Sequence, residues 1–541
     1  MAPTAVRGVA APRSVPWQVR AGWLLRAHRT RHSDPALRGL GGFARAFGEG
    51  HGAAGAVSPS SVSRWETGRT PVPRAAVRRY EQVLGLVPYQ LVAVVETIAR
   101  YEGGPAAEAF ARGGVPEPGR GGPADHRIDL LLDRVLDGDV LSGDDWDELT
   151  LRATRAGRLV SPGRTRHAVC GRLLAETLVA DGVAWMRRFE ALGRLLADPV
   201  WAPQAAEACR EVAGQAEHAG LIEATCALDN SAHPDAARYV LRQLTAPTHA
   251  DSFYGALLAS VRKCRKRHFA PEQTRIVAEV VAAVLTGGTA RQEDAEVAAN
   301  LLRLLPMPAA RAVRLAEAAG NWPTTRSIVA YGSLVDPGSA DVGVAHVLLR
   351  TPGADGPAAE SGVLSDIVDD VLHHPVADVR LYAAMLLNAS PYGPGVAAAL
   401  ADELRLAGTV QSAERAVPML HALRVLGGPE QRPVVAGLTL AQGVPNSVVS
   451  AAVHAIGHIG GRSPEPYWRA VLRRHVEHRD ARPGAATDAE LKRLVYGFAM
   501  GGELDLLTRL VDEHARASSL QGMSAWWTGL SHHIRDSAAR R

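Results

Sequence analysis

Apolar residues fall at three- and four-residue intervals in the first hundred positions. That spacing predicts amphipathic helices. Pro16–His32 carries Trp17, Val19, Trp23, Leu24 and Ala27 on one face, and Leu40–Phe47 carries Leu40, Phe43, Ala44 and Phe47. Arg74–Leu84 turns Ala76, Val77, Tyr80, Val83 and Leu84 inward, and Pro88–Tyr101 does the same with Leu91, Val94, Val95 and Ile98. Between the second and third of these lies a glycine-rich loop, Gly48–Ser58, and then a short helix with clear ends. Ser58 suits the N-cap and Pro59 the first turn; Gly68 stops the helix, and Pro71 and Pro73 prevent continuation. Val62 and Trp65 share its apolar stripe, leaving Ser60, Ser61, Ser63 and Arg64 to face outward. Such a helix suits a DNA major groove, or is a serine-rich surface helix.

Glu102–His126 is broken by seven glycines and four prolines and reads as a linker. From Arg127 onward consecutive amphipathic helices follow, among them Ile128–Leu136, Asp144–Leu159, Val183–Leu196, Asp235–Leu244, Asp251–His268 and Glu272–Leu285, with no competing strand alternation. The last third repeats itself. Val379–Leu387 can be laid over Val448–Ile456, and Arg415–Gly428 over Val448–Gly461 at an offset of 33 residues. Small or branched residues, alanines and a later Leu or Ile recur, which lets helix pairs stack closely. The expected architecture is all-α: a basic tail (1–15), a five-helix bundle (16–101), a linker (102–126), a helical region (127–362) and an α-solenoid (363–541).

Charge sharpens the division. Residues 1–101 hold fourteen arginines against Asp34, Glu49, Glu66, Glu81 and Glu96, a net of +9; the whole chain is +4, which leaves −5 for the rest. A basic head on a neutral-to-acidic body suggests nucleic-acid binding. Lysine occurs only at 263, 266 and 492, so arginine abundance in general carries little weight. The separated cysteines Cys170, Cys209, Cys226 and Cys264 read as small buried hydrophobes. No apolar run is long enough to span a bilayer, and the N-terminus has no signal-peptide core, so the chain is expected to be cytoplasmic.

Val62-Ser-Arg-Trp-Glu-Thr-Gly68, followed by Arg-Thr-Pro and a helix ending in Leu84-Gly85-Leu86, resembles the phage-repressor (Cro-type, or Xre-type) helix-turn-helix family, whose Ser-x-x-Glu-x-Gly signature is met by Ser63, Glu66 and Gly68. The resemblance implies a five-helix bundle with Ser60, Ser61, Ser63 and Arg64 on base edges or phosphates, and Arg69 and Thr70 on the phosphate backbone. Ser58 opens that recognition helix. Trp65 would be core, and Glu66 would brace the fold. Two features depart from the family. The turn before the serine helix has about ten residues instead of about four, and Leu40-Gly41-Gly42 stands where the family has a glutamine. The long turn either loops out, since each doubling of loop length costs only about 0.6 kcal/mol, or adds phosphate contacts. Asp378-Val-Arg after His374-Pro375 resembles the inner helix of HEAT repeats, from about Val363 to Gly461.

Other clusters have a functional and a structural reading. His454 and His458 are one turn apart, but Ala455 stands where a zinc hydrolase needs glutamate; His475 with His478 and His532 with His533 say less. Arg262-Lys-Cys-Arg-Lys-Arg-His268 is either a phosphate or acidic-partner dock or a solvated helix end. Trp526-Trp527 is either a partner hot spot or a cap on the repeat array. No phosphate loop, nucleophile elbow or diagnostic acid pair stands out, so no enzyme, metal or cofactor is expected. The expected function is transcriptional regulation on double-stranded DNA, the solenoid holding a protein or peptide and two heads pairing as a homodimer. The rival expectation is a scaffold whose bundle no longer reads DNA.

Overall fold

The computed structural model describes residues 15–49, 57–113, 123–155, 162–214, 221–288, 290–319, 323–354, 362–482 and 484–513. Among these, thirty α-helices and no strand are formed. The chain opens with α1 (Trp17–Thr30), α2 (Pro35–Arg38), α3 (Leu40–Gly48), α4 (Pro59–Glu66), α5 (Arg74–Val83) and α6 (Gln90–Glu102). These are the helices expected from the apolar spacing, with the one-turn α2 added. Asp34 caps α2 through Ala36 N, and Pro35 supplies its first residue. Helix α6 starts two residues later than expected, because Tyr89 takes a left-handed backbone conformation (φ 66°). Its ring is held between the guanidiniums of Arg78 (3.4 Å) and Arg187 (3.8 Å).

The stretch expected as a linker holds a helix, α7 (Pro105–Arg112). Ala107 and Phe110 are buried, and the Phe110 ring meets Trp17 edge-on at 5.8 Å. Proline and glycine suggested a tether, but Pro105 sits at the first position of α7, where it costs nothing. Residues 114–122 lie outside the described residues, and α8 (Pro123–Leu136) follows.

Beyond α8 the chain is a solenoid in which alternate helices stack on one another. One arm has Gly182–Ala197, Leu221–Ala227, Ala250–Arg265 and Gln292–Leu304 as its inner row; the other has Ala377–Asn388, Ala413–Leu426, Asn446–Ile456 and Ala485–Met500. Buried alanines such as Ala256, Ala259, Ala298, Ala299, Ala422 and Ala452 let these rows approach closely. The repeat thus extends well before Val363. Cys170, Cys209 and Cys226 are buried as small hydrophobes. No helix among the described residues is long and apolar enough to cross a membrane.

The bundle is built into the solenoid. Its core from Trp17 to Phe110 is continuous with the buried residues of the far arm, from Val344 to Leu510, whereas Leu131 to Leu334 make a second cluster. On that far-arm side Trp23 stacks on Tyr392 (5.9 Å), Tyr101 meets Tyr382 edge-on (5.2 Å), and His28 Nε2 donates to the Ala389 carbonyl (2.6 Å). Toward the near arm the seam is ionic. Asp147 accepts from Arg74 (2.6 Å), Arg187 (3.0 Å) and Arg194 (2.9 Å), and Glu96 from Arg74 (3.2 Å) and Arg194 (2.8 Å). Arg100 pairs with Glu190 (2.7 Å).

These pairs correct the reading of charge. Arg20, Arg74 and Arg100 bind Asp370, Asp147 and Glu190, all supplied by the later chain. Arg29 and Arg78 pair inside the bundle, and Arg79 donates to the carbonyls of Phe47 and Glu49 at the end of α3. Three charges of the +9 are therefore internal complementarity between head and body. The first two residues of the basic run at 262–268 are also internal. Arg262 and Lys263 are fully buried; Arg262 binds Asp229 (2.8 Å) and the Arg100 carbonyl (2.9 Å), and Lys263 donates to the Ser231 carbonyl (2.7 Å). Burial pushes the Lys263 ammonium down to about 8. Arg262 and Lys263 thus seat the end of α6, whereas Arg265 and Arg267 are exposed at the end of their helix, as a solvated helix end would have them.

Candidate nucleic-acid interface

Helix α4 is held by its buried face. Val62 is fully buried, and Glu66 is fixed by the Arg29 fork (2.6 and 2.7 Å) and the Tyr80 hydroxyl (3.1 Å). Burial and the neighbouring Glu66 raise the Tyr80 phenol well above its ordinary value, so it stays protonated and donates. Trp65 is half-buried against Phe47 (5.9 Å). Helix α1 crosses α4 at Gly22, where a methyl group would lie 2.4 Å from the Trp65 carbonyl oxygen. Gly68 takes φ +68°, and a side chain there would also strike the Val19 backbone at 2.8 Å. The signature glycine is thus required by both the turn and the packing.

The opposite face is open. Ser58, Ser60, Arg64, Arg69 and Thr70 are exposed, and Ser61 and Ser63 half-exposed. The expected contact residues therefore share one solvent-facing surface. Within it Ser58 is engaged as the cap, accepting from Ser61 N (3.1 Å) and lying 2.9 Å from the Ser60 hydroxyl. Arg64 reaches back to the Ser61 hydroxyl (3.2 Å), and Thr70 N bonds the Arg64 carbonyl (3.3 Å), which ties the post-helix turn to the helix. Arg45 on α3 is also exposed and lines a shallow groove with Gly41, Ala44, Val57 and Pro59. Sequence reading missed Arg45 because it lies on the helix before the motif, and only the fold sets it beside Pro59. Of the long turn, residues 50–56 lie outside the described residues, as do residues 1–14 of the basic tail, Trp526-Trp527 and His532-His533.

The remaining histidine motifs are placed differently. His454 and His458 line a cavity between the two arms together with His421, with ring centroids 6.4 Å (421–454) and 6.2 Å (454–458) apart. His475 is buried and bonds the Val471 carbonyl (2.9 Å). Among the described residues a thiol and two carboxylates, Cys226, Asp229 and Asp378, come within 4.8 Å of one another. Arg262 already neutralises Asp229, and burial pushes Asp378 up to about 6 and raises the Cys226 thiol well above its ordinary value, so the thiol stays protonated and joins the arms by donating from Cys226 Sγ to Asp378 (3.4 Å).

The cavity imidazoles give a pH prediction. Burial, then Arg380, Arg424 and Arg493, push His421 down to about 3. The unfolded chain takes that proton near pH 6.5, and the folded chain only near pH 3. The unfolded state thus binds more protons in this window, and stability falls as pH falls. His421→Gln is expected to lessen the pH slope of unfolding free energy between pH 6 and 5 by about 1.4 kcal/mol per pH unit, one proton's worth. Urea titrations at several pH values measure it, and an unchanged slope would show that His421 charges in place.

Neither protein-family models, nor curated proteins, nor solved structures show a match to this chain.

Proposed function

We propose that the chain is a DNA-binding transcriptional regulator, with α4 entering the major groove. Ser60, Ser61, Ser63 and Arg64 face the bases and phosphates, Arg69 and Thr70 take the backbone behind them, and Ser58 orders the helix start. The observation that carries this reading is the contrast between the two faces of α4. One is locked by the buried Arg29–Glu66–Tyr80 network and by Gly22, and the other offers hydroxyls and a guanidinium to solvent. A rigid mount under a polar, exposed helix is what groove readout needs. One head buries too little for tight specific binding, so two copies on paired half-sites are part of the proposal. The solenoid would carry the regulatory input, a protein or peptide partner in the broad reading.

With the full chain and a duplex selected from genome-wide binding, Arg64→Ala is expected to weaken specific binding by about 1–3 kcal/mol, and Arg69→Ala to lessen the salt slope by about 1. Wild-type affinity for Arg64→Ala in a gel-shift titration would remove the assignment. The rival reading, a scaffold that does not read DNA, draws on the arginines that the body consumes. It predicts no steeply salt-dependent affinity for any duplex.

A further inference from the structure

The two arms of the solenoid face each other across a cavity of about 750 Å3, within the range of small-molecule sites. Its apolar lining includes Trp185, Phe189, Tyr254, Tyr382, Met385 and Tyr496. Its charged groups are divided between the walls. The near arm contributes Asp181, Glu223, Asp251 and Glu293; the far arm contributes Arg380, Arg424, Lys492 and Arg493, with three imidazoles and Asp378.

The carboxylates are largely satisfied within the protein. Asp181 pairs with His458 (2.8 Å), and Asp251 and Glu293 both pair with Arg291 (3.1 and 3.0 Å). Burial raises Glu223 and Asp378 toward their neutral forms. The guanidiniums hydrogen-bond to neutral groups, although Arg424 also lies within electrostatic reach of Asp181 and Glu223, and Arg380 of Glu296. Arg493 donates to the Ser450 hydroxyl (2.7 Å), Arg424 bonds Tyr496, and Arg380 donates to the His374 carbonyl. The Arg380 Nε is buried without a partner, and so is Nε2 of His458, whose side chain is 2 % exposed. A semi-enclosed site with guanidiniums on neutral partners, bordered by aromatic rings, is built to receive a negative charge attached to an apolar body.

We propose that this cavity binds a small organic anion, a carboxylate or phosphate ester on an aromatic or otherwise apolar body, with the anionic group against Arg424 and Arg493 and the body among Trp185, Phe189 and Tyr382. Resting on the regulator reading, this makes the regulatory input a small molecule held inside the solenoid; the binding itself is tested without DNA. The site touches the head directly. Phe189 and Tyr382 line the cavity, and the same rings carry Arg100 (5.0 Å) and Tyr101 (5.2 Å) at the end of α6. An occupant therefore presses on the side chains that seat the head.

The probe is 8-anilinonaphthalene-1-sulfonate, an aromatic anion, compared with its uncharged analogue N-phenyl-1-naphthylamine, on the full chain. The sulfonate is expected to bind saturably at one site per chain. Arg424→Gln with Arg493→Gln should weaken it by about tenfold or more while the uncharged analogue is unaffected, and Arg424→Lys with Arg493→Lys should retain most of the sulfonate affinity. In the wild-type chain indole-3-acetate or phenyl phosphate should displace the sulfonate and indole-3-acetamide should not, a comparison that holds even if the glutamine variant fails to fold. Equal displacement by the acetamide, an unchanged sulfonate affinity in a folded glutamine variant, or no saturable binding would each overturn the proposal. Displacement by acidic peptides alone would assign the cavity to a protein partner instead.

Discussion

Asp147→Ala is expected to cost at least about 3–5 kcal/mol of stability, because it removes the one carboxylate shared by three buried guanidiniums. Burial pushes the Asp147 carboxyl up, but Arg194, Arg74 and Arg187 outweigh that and hold it below the usual carboxylate range. Without it, Arg74 and Arg194 are left to Glu96, and the one carboxylate Arg187 keeps among the described residues is the exposed Asp144 (3.0 Å), beside the Tyr89 ring. Three cations would then crowd one low-dielectric seam, and their mutual repulsion adds to the lost pairing. The helix carrying Asp147, Gly143–Arg155, belongs to the solenoid, and Arg74 belongs to the bundle. The variant should therefore loosen the head as well as lower the urea midpoint. Hydrogen exchange is expected to quicken first in α5 and α6. A loss below about 1 kcal/mol would mean that solvent screens the seam.

Glu66→Ala is expected to cost about 3–5 kcal/mol through the same physics on a smaller scale. Arg29 stays buried with both carboxylate bonds gone, and the Tyr80 hydroxyl loses its acceptor. Replacing the pair together, Arg29→Met with Glu66→Leu, should cost less than Glu66→Ala alone, since no unpaired charge is left inside. DNA affinity separates this residue from Arg64. Glu66→Ala should lower both stability and affinity, because α4 loses its mount, and Arg64→Ala should lower affinity alone. Denaturation curves beside gel-shift titrations decide it. A Glu66→Ala chain of normal stability would show that Gly22 and Val62 suffice to hold α4.

The helices of the head were legible because each carries its own signal. Ser58, Pro59 and Gly68 bound α4 in sequence and in space, and the apolar stripes of α1, α3, α5 and α6 fall where the spacing puts them. The role of Glu66 followed from family resemblance, and the Arg29 fork supplies its physical basis. Apart from α7, whose flanking glycines and prolines read as a linker, the misreadings concern what pairs with what. Arg20, Arg74 and Arg100 look like a DNA-facing excess until Asp370, Asp147 and Glu190 are brought beside them, and sequence spacing carries no record of those approaches. Arg262 and Lys263 read as a surface run because a buried guanidinium and a solvated one share the same letters; the buried partner Asp229 decides between them. The histidines at 454 and 458 gained meaning only when His421 and the facing arm arrived.

The seam between α1 and the far arm also sets a timetable. Arg20 waits for Asp370, and His28 for Ala389, partners separated by 350 and 361 residues. At translation rates of about 5–20 residues per second, the first helix leaves the ribosome roughly 20–70 s before its far-arm partners exist. During that interval the apolar back of the bundle, Trp23 included, has nothing of its own chain to cover it. The final closure of the head on the far arm is therefore a long-range, slow event. Any regulatory competence of this chain belongs to the finished polypeptide and not to the segment made first.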